Sequence, residues 1–221
     1  MTARHIFSDL ANLEQRLADR YVPLEGTLRV ATTDTLAASV LPRHLAAFRI
    51  QHPGIVLELV ISNPVSNLTH HDADVAVWPM MARPEVLVGQ RMCGIAYATY
   101  AVSGRETGPW LVPDEALAGS VVGRWARIHL PTEQIAARAD SLLALRDLAT
   151  AGMGRVVLPC YLGDATLHLN RVSPVLLEVT SELWLLTHKD LRRNAAVATF
   201  TRFMKCSLAD DQDLLEGRCP T

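Results

Sequence analysis

Two short polar segments follow predicted β-strands, and their side chains are suited to binding a small ligand. Residues 32–35 (Thr-Thr-Asp-Thr) come after the first apolar run, and residues 62–63 (Ser-Asn) come after the second. Open α/β sheets bind ligands beyond the carboxyl ends of their strands, where helix N-termini offer free N–H groups and a partial positive charge. The hydroxyls of Thr33 and Thr35 and the amide of Asn63 therefore form a candidate binding site.

Each of these residues also has an explanation that needs no ligand. Thr33 or Asp34 can accept hydrogen bonds as the N-cap of the following helix, and Asn63 can form a turn with Pro64. An aspartate that points into the site would repel an anion, so we expect Asp34 to face the backbone or solvent. The spacing leaves both explanations open.

Two tryptophans extend the candidate site. We predict Trp78 and Trp125 at the ends of two other strands, where an indole supplies flat apolar area and one N–H donor to a cleft. Either ring can instead belong to the core. The neighbours Gly123, Arg124 and Arg127 indicate a loop edge and favour exposure of Trp125 to the cleft.

Motifs for common catalytic chemistry are absent from the sequence. Residues 152–154 (Gly-Met-Gly) follow a predicted helix and precede a strand, which is the reverse of the dinucleotide-binding order. Residues 70–72 (His-His-Asp) have no further ligand cluster near them, and the four cysteines lack metal-type spacing. We therefore expect no cofactor, no metal and no enzymatic activity.

The composition is that of an ordinary globular protein. Of 221 residues, 49% are hydrophobic and 20% are charged, and the formal net charge of −2 draws the chain neither to phosphate backbones nor to anionic lipid. The longest apolar span, 86–102, is broken by Arg91 and favours a buried strand over a membrane helix. Residues 1–25 contain no apolar signal segment, so we expect a cytoplasmic location.

Strands alternate with helices along the chain, which predicts an α/β fold with parallel sheets. Residues 103–118 are rich in glycine and proline and are expected to form a loop that enters a second lobe. The helices are predicted at 35–50, 141–151 and 195–206, and the strands at 27–33, 55–62, 73–78, 86–102, 120–125, 134–139, 155–159 and 175–187.

The best-marked unit lies at residues 139–164. Asp140 or Ser141 can cap a helix whose leucines repeat on one face, and Gly152 suits a left-handed helix end. The apolar strand 156–158 follows at once and ends at Pro159.

This unit resembles the effector-binding domain of LysR-type transcriptional regulators. Further segments match in the same order: Gly26–Val30 with Val40–Pro42 and His52–Gly54, then Ala73–Val77, then Glu182–His188 with Asp190–Arg193. The similarity covers roughly residues 5–205, and the combination is specific although each piece alone is weak.

The resemblance implies two Rossmann-like lobes of the type 2 periplasmic-binding-protein kind, joined by two crossover strands. Residues 1–23, with a helical stripe at Leu10, Leu13 and Leu17, correspond to the end of a linker helix. We expect lobe I at 24–98 plus 188–206, lobe II at 99–187 and a C-terminal tail at 207–221. The crossings are expected near 98–101 and 184–187.

The resemblance also implies a function: an effector-sensing domain that binds a small polar molecule, expected to be anionic, between its lobes. The hydroxyl residue seven positions before the Leu-Pro proline commonly touches the effector in this family, which singles out Thr35 here, with Thr33 as the second candidate. Together with Asn63, Trp78 and Trp125 these residues make up the predicted effector site. The alternatives are a solute-binding protein of the same fold or an enzyme that uses the same cleft.

The expected partners follow from the same resemblance. Family members dimerise, so we expect a homo-oligomer or association with full-length relatives. Contact with DNA would require a helix-turn-helix, which needs on the order of 60 residues before the first strand, and this chain has fewer than half of that. We expect no contact with membranes.

Overall fold

The structure is a computed structural model and describes residues 24–63, 73–81, 85 and 87–218. Its strands are β1 (Gly26–Thr32), β2 (Ile55–Ile61), β3 (Val75–Met80), β4 (Leu87–Ala101), β5 (Trp110–Pro113), β6 (Ile135–Ala139), β7 (Arg155–Pro159), β8 (Asn170–Arg171) and β9 (Thr180–His188). Its α-helices are α1 (Asp34–Ser39), α2 (Leu41–Gln51), α3 (Val121–His129), α4 (Leu142–Thr150), α5 (Cys160–Gly163), α6 (Ala195–Ala209) and α7 (Gln212–Leu215). Short 3-10 helices lie at Glu115–Leu117, Thr132–Gln134 and Lys189–Arg193.

The strands form two sheets that share the long strand β4. The strand order is β2-β1-β3-β9-β4-β7-β5-β6, and β8 pairs with β4. Residues 87–96 of β4 pair with β9, whereas residues 97–100 pair with β7, so the strand passes from one sheet to the other. We call the first sheet with α1, α2 and α6 lobe I, and the second sheet with α3, α4 and α5 lobe II. The two-lobed α/β fold predicted from the sequence is confirmed.

The core of lobe I lies between its sheet and two amphipathic helices. Leu28 and Val30 alternate along β1 and point toward the helices, as expected for a strand buried on that face. Phe48 of α2 meets the ring of Phe200 of α6 edge to face, with 5.0 Å between ring centroids. Both phenylalanines are fully buried, so this pair ties the two helices to one sheet face.

The αβ unit predicted at residues 139–164 is confirmed in lobe II. Ser141 caps α4 by accepting a hydrogen bond from the Ala144 N–H at 3.3 Å, and Leu145 and Ala149 bury one face of the helix. Gly152 has φ of +81°, the left-handed conformation predicted for the residue that ends the helix. The buried strand β7 then places Pro159 at its carboxyl end.

Three secondary-structure predictions were wrong. The strand predicted at 120–125 is the helix α3, because the Ser120 hydroxyl accepts from the Gly123 N–H at 3.0 Å and the apolar residues Val122 and Ala126 bury one helical face. The helix predicted at 35–50 is two helices, α1 and α2, that break at Val40. The span predicted as loop at 103–118 contains β5, which pairs in parallel with β6 and β7.

The predicted return crossing at 184–187 was also wrong. Strand β9 pairs with β4 of lobe I from Thr180 to His188 and with β3 at residues 182–187, so the chain leaves lobe II before Thr180. The N–H groups of Val172 and Leu176 still donate to the Thr99 and Tyr97 carbonyls, at 2.8 Å each, and this segment runs beside β4 toward lobe I. The N-terminal linker helix predicted at 1–23 lies outside the described residues.

Two negative findings concern the described residues only. No helix there is long and apolar enough to cross a membrane. Within the same ranges, no group of three His, Cys, Asp or Glu side chains is placed to hold a metal ion. The His-His-Asp segment at 70–72 lies outside these ranges.

Candidate functional site

A cavity of about 230 Å³ lies between the two lobes. It opens beyond the carboxyl ends of β1 and β7, as expected for ligand sites in open α/β sheets. Lobe I contributes Thr33, Asp34, Thr35, Asn63, Trp78, Met81 and Ser181, among others. Lobe II contributes the N-terminal end of α3 with Arg124, the start of α4 at Leu142, and Pro159 and Tyr161. Tyr97 also lines the cavity, at the point where β4 passes between the two sheets.

Four of the five predicted site residues line this one cavity: Thr33, Thr35, Asn63 and Trp78. Trp78 lies within β3 and not at its end, and it is 1% exposed. It is one of the apolar residues that line the cavity. Whether these residues bind an effector stays a prediction.

Trp125 lies outside the cavity lining. It is on α3, where its ring packs against Trp110 at 5.5 Å and stacks on His129 at 5.3 Å, and its indole N–H donates to Glu178 at 3.3 Å. Arg155 lies over the Trp110 ring, with its guanidinium carbon 4.0 Å from the ring centroid. Trp125 follows Val121 and Val122 by about one helical turn, so it lies beyond the N-terminal end of α3 that lines the cavity.

Three hydroxyls form a chain across the interface between the lobes. The Thr33 and Thr35 hydroxyl oxygens are 3.2 Å apart, and the Thr35 hydroxyl lies 3.0 Å from the Tyr161 hydroxyl of lobe II. All three side chains are buried. Thr33 occupies the N-cap position of α1, but its side chain makes no capping bond, so capping alone does not explain the threonines.

Asp34 joins the lobes at the edge of the cavity. One carboxylate oxygen accepts from the Thr35 N–H at 2.6 Å, as expected for an aspartate that faces the backbone. The other accepts from the Asn63 amide at 3.0 Å and from the Ser141 hydroxyl at 2.6 Å. The Asn63 amide also donates to the Asp140 carbonyl at 3.2 Å. We call these bonds the Asp34 clasp; they link lobe I to the N-terminus of α4.

The two buried tyrosines of the site are neutral hydrogen-bonding groups. Burial raises the pKa of Tyr97 to about 12, despite the opposing hydrogen bond from Ser181, whose hydroxyl oxygen lies 2.9 Å away. Burial also raises the pKa of Tyr161, and the hydrogen bond with Thr35 offsets part of this effect. Both phenols therefore keep their protons at neutral pH and offer O–H donors without negative charge.

The positive side of the cavity comes from α3. The lining residues Gly119 to Val122 form the N-terminal end of this helix, where first-turn N–H groups lack carbonyl partners within the helix. Arg124, in the first turns of the same helix, is exposed and also lines the cavity. Its guanidinium contacts the Met81 sulfur. The α3 side of the cavity is therefore positively charged, whereas the carboxylate of the Asp34 clasp is negatively charged.

Sequence reasoning missed Tyr97, Tyr161, Ser181 and the α3 end as parts of the site. Tyr161 had a usable signal, because it comes just after Pro159 at the carboxyl end of a predicted strand. Ser120 had one too, as a capping residue before an apolar pair. Tyr97 and Ser181 had none, since both lie inside long strands whose position relative to the other lobe is set by the crossing.

The chain matches the family model described as the LysR substrate binding domain over residues 23–209. No curated protein matches it. Solved structures that match include the sulfate-bound regulatory domain of an OxyR2 mutant from Vibrio vulnificus, with 14% identity, a TM-score of 0.66 and coverage of 85% of this chain and 98% of that one.

Two further structures are similar at comparable levels. The effector domain of the transcriptional regulator AmpR of Pseudomonas aeruginosa has 18% identity and a TM-score of 0.67, covering 86% of this chain and 98% of that one. The regulatory domain of CrgA, a LysR-type transcriptional regulator from Neisseria meningitidis, has 21% identity and a TM-score of 0.64, covering 86% of this chain and all of that one (100%).

Proposed function

The chain belongs to the family of LysR substrate-binding domains, and on this premise we propose that its inter-lobe cavity binds an effector with an anionic group and an apolar body. Domains of this family sense effectors and are not enzymes. The observation that carries the proposal is the shared cavity, in which Thr33, Thr35 and Asn63 of lobe I face Tyr161 and the α3 end of lobe II.

The polar groups of the cavity support the proposal that the anionic group of the effector binds at the α3 side. Arg124 supplies a positive charge and the helix end supplies N–H donors, while the two tyrosines stay uncharged. The Asp34 carboxylate already accepts three hydrogen bonds, so its charge is partly offset where it lies. Among similar structures, the OxyR2 domain is sulfate-bound, which supports an oxyanion site in a fold of this kind.

The apolar residues of the cavity support the proposal that the rest of the effector is apolar. Trp78, Leu142 and Pro159 line the cavity with carbon atoms, and a volume of about 230 Å³ accommodates a single ring with one substituent. Such a ligand would contact both lobes at once. It would then favour the closed arrangement by its difference in affinity for the two states, which is how binding would modulate transcription.

Three single-ring compounds of similar size test the proposed charge: benzoate, benzamide and benzylamine, titrated while the melting temperature is measured. We expect benzoate to stabilise the protein most and benzylamine least. At about 100 times its dissociation constant, a ligand adds roughly 2.7 kcal/mol of stability. A larger shift with benzylamine than with benzoate would refute the anionic site.

A pair of arginines on one helix provides the control. Arg124→Gln should remove most of the benzoate shift, since Arg124 lines the cavity. Arg127→Gln removes an equal charge from the exposed surface of α3 and should leave the shift unchanged. If both variants lose the shift equally, benzoate responds to overall charge and not to the cavity.

We propose further that the chain pairs with a second copy through β2. This strand lies at the edge of the lobe I sheet, and its Val56, Leu59 and Ile61 are 57%, 40% and 49% exposed. An apolar strand at the edge of the described sheet favours association with another chain. The three described cysteines are unpaired, which supports a reducing compartment such as the cytoplasm. DNA would be contacted by a separate helix-turn-helix.

A further inference from the structure

Residues 210–218 lie beyond the part of the chain that matches the family model, and they bridge both lobes. The segment contains α7 and follows α6 directly. It was expected to be a tail, yet Leu215 is fully buried and Gly217 is buried as well. We call residues 210–218 the C-terminal strap.

The strap is attached to lobe I at α2. Asp211 accepts a hydrogen bond from the His44 ring at 2.5 Å and pairs with the Arg43 guanidinium. The other ring nitrogen of His44 bonds to Ser207 at the end of α6. The Asp211 side chain is only 9% exposed, so this attachment is shielded from water and from salt.

The strap is attached to lobe II at β8 and α5. The Gly217 carbonyl accepts from Arg171 at 3.2 Å, and Arg171 is itself held by a bidentate pair with the buried carboxylate of Asp164. A Cβ atom at Gly217 would lie 2.9 Å from the Cys160 sulfur and 3.3 Å from the Ala96 Cβ. Gly217 also has φ of +67°, so glycine is required here for both space and conformation.

A third attachment lies where β4 changes sheets. The Glu216 carboxylate accepts from the Gly94 N–H at 3.2 Å. Gly94 is two residues before Ala96, the last residue of β4 that pairs with β9. The strap therefore contacts lobe I, lobe II and the crossing between them within a few residues.

The strap and the cavity contact neighbouring residues of the same two backbone segments, and in β4 these neighbours point to opposite faces. Ala96 and Cys160 contact Gly217, whereas the next residues, Tyr97 and Tyr161, line the cavity. Rotation that opens the cavity side would narrow the strap side, if the lobes turn about this crossing. Gly217 leaves no free space there, so such rotation must either break an attachment of the strap or compress its packed side chains.

We propose that the C-terminal strap is a wedge that holds the lobes closed and thereby sets the affinity of the cavity for its effector. This inference rests on the proposed function for its effect on affinity, but its effect on lobe separation can be measured without any ligand. Detaching the strap should populate open states, and the affinity should fall in proportion to the closed fraction.

The test measures a distance between spin labels by pulsed electron paramagnetic resonance. The labels are placed at Ala46→Cys on α2 and Arg127→Cys on α3, both exposed, in a chain that carries Cys206→Ser and Cys219→Ser; Cys93 and Cys160 are buried. We expect one narrow distance in the otherwise unchanged chain. Asp211→Asn, and more strongly Leu215→Ala, should add a population at a different, broader distance.

Matched controls distinguish the effect of detaching the strap from the effect of losing a charge or an apolar side chain elsewhere. Asp213→Asn changes a carboxylate that is 66% exposed and that, among the described residues, forms an ion pair with Arg218 of the strap itself. Leu177→Ala changes a leucine that is 86% exposed. Both should keep the narrow distance.

The outcomes distinguish the two proposals. If the strap variants fold cooperatively and keep the narrow distance, the wedge is refuted whatever binds the cavity. If the distance broadens but benzoate never binds, the wedge stands and the ligand class fails. If both hold, a variant whose closed fraction falls to about one fifth should bind benzoate about fivefold more weakly. Should Leu215→Ala fail to fold, the milder Asp211→Asn decides.

Discussion

The hydrogen bond between Thr35 and Tyr161 makes a quantitative prediction about the unliganded protein. Thr35→Val keeps the shape of the side chain and removes the hydroxyl, which lies 3.0 Å from the Tyr161 hydroxyl and 3.2 Å from that of Thr33. Both partners are buried, and each loses a hydrogen bond in the variant.

The contacts between the lobes give Thr35→Val a measurable cost in the free energy of unfolding. An unsatisfied buried polar group costs about 1–3 kcal/mol, and the cavity beside Tyr161 lets water recover part of this. We therefore expect Thr35→Val to lower the free energy of unfolding by about 1–2 kcal/mol. For a chain of this size each kcal/mol corresponds to about 2–4 °C in melting temperature.

A double-mutant cycle with Tyr161→Phe isolates the bond, measured by urea unfolding of the two single variants and the double variant. If the hydroxyls are bonded, the double variant should be more stable than the sum of the single effects predicts, by about 1 kcal/mol. Thr150→Val, whose hydroxyl donates to the Arg146 carbonyl within α4, should show no coupling to Tyr161→Phe. Additivity of Thr35→Val and Tyr161→Phe within about 0.3 kcal/mol would refute a direct bond between the lobes.

The remaining predictions concern pH, association, DNA and the clasp. Burial raises the pKa of Tyr97 from 10.0 in the unfolded chain to about 12, so the unfolded state loses its proton first and stability should fall as pH rises from 10 toward 12. Urea unfolding at pH 9 and pH 11 should show that Tyr97→Phe loses less stability over this interval than the unchanged protein does. An equal loss of stability would contradict the raised pKa of Tyr97. Val56→Lys places a charge on the exposed edge of β2 and should shift sedimentation toward the monomer; an unchanged profile would place the interface elsewhere. The isolated chain should not bind duplex DNA specifically, and a sequence-selective gel shift that weakens steeply with salt would contradict this. Ser141→Ala removes a donor to Asp34 and should weaken benzoate binding at a closed cleft, whereas unchanged affinity would show that the Asp34 clasp does not contribute to closure.

Local patterns in the sequence determined the elements whose signals lie within a few residues. The unit at 139–164 was predicted correctly because its cap, its apolar face and its terminating glycine act through bonds inside one helix. The placement of Thr33, Thr35 and Asn63 together also followed from the sequence, since parallel strands bring their carboxyl ends to one edge. The family resemblance then supplied the two-lobed arrangement.

Tertiary structure decided what depends on contacts between distant segments. Val121 and Val122 favour a strand by themselves, but burial of one face of α3 outweighs that preference, and Trp125 packs against Trp110 instead of lining the cavity. Asp34 faces the backbone as expected, yet its second oxygen meets Ser141, which is 107 residues away. No local pattern encodes such a contact.

The strap illustrates the same limit at the other end of the chain. Residues 210–218 were expected to be part of a C-terminal tail, and Leu214 and Leu215 by themselves do not indicate burial. Its pocket exists only because β4 passes between sheets beside α5 and β8, which bring Ala96, Cys160 and Arg171 together. The sequence determined which short segments can form, because their energies are local; the crossing of the two lobes decided which side chains meet, because that geometry depends on the whole fold.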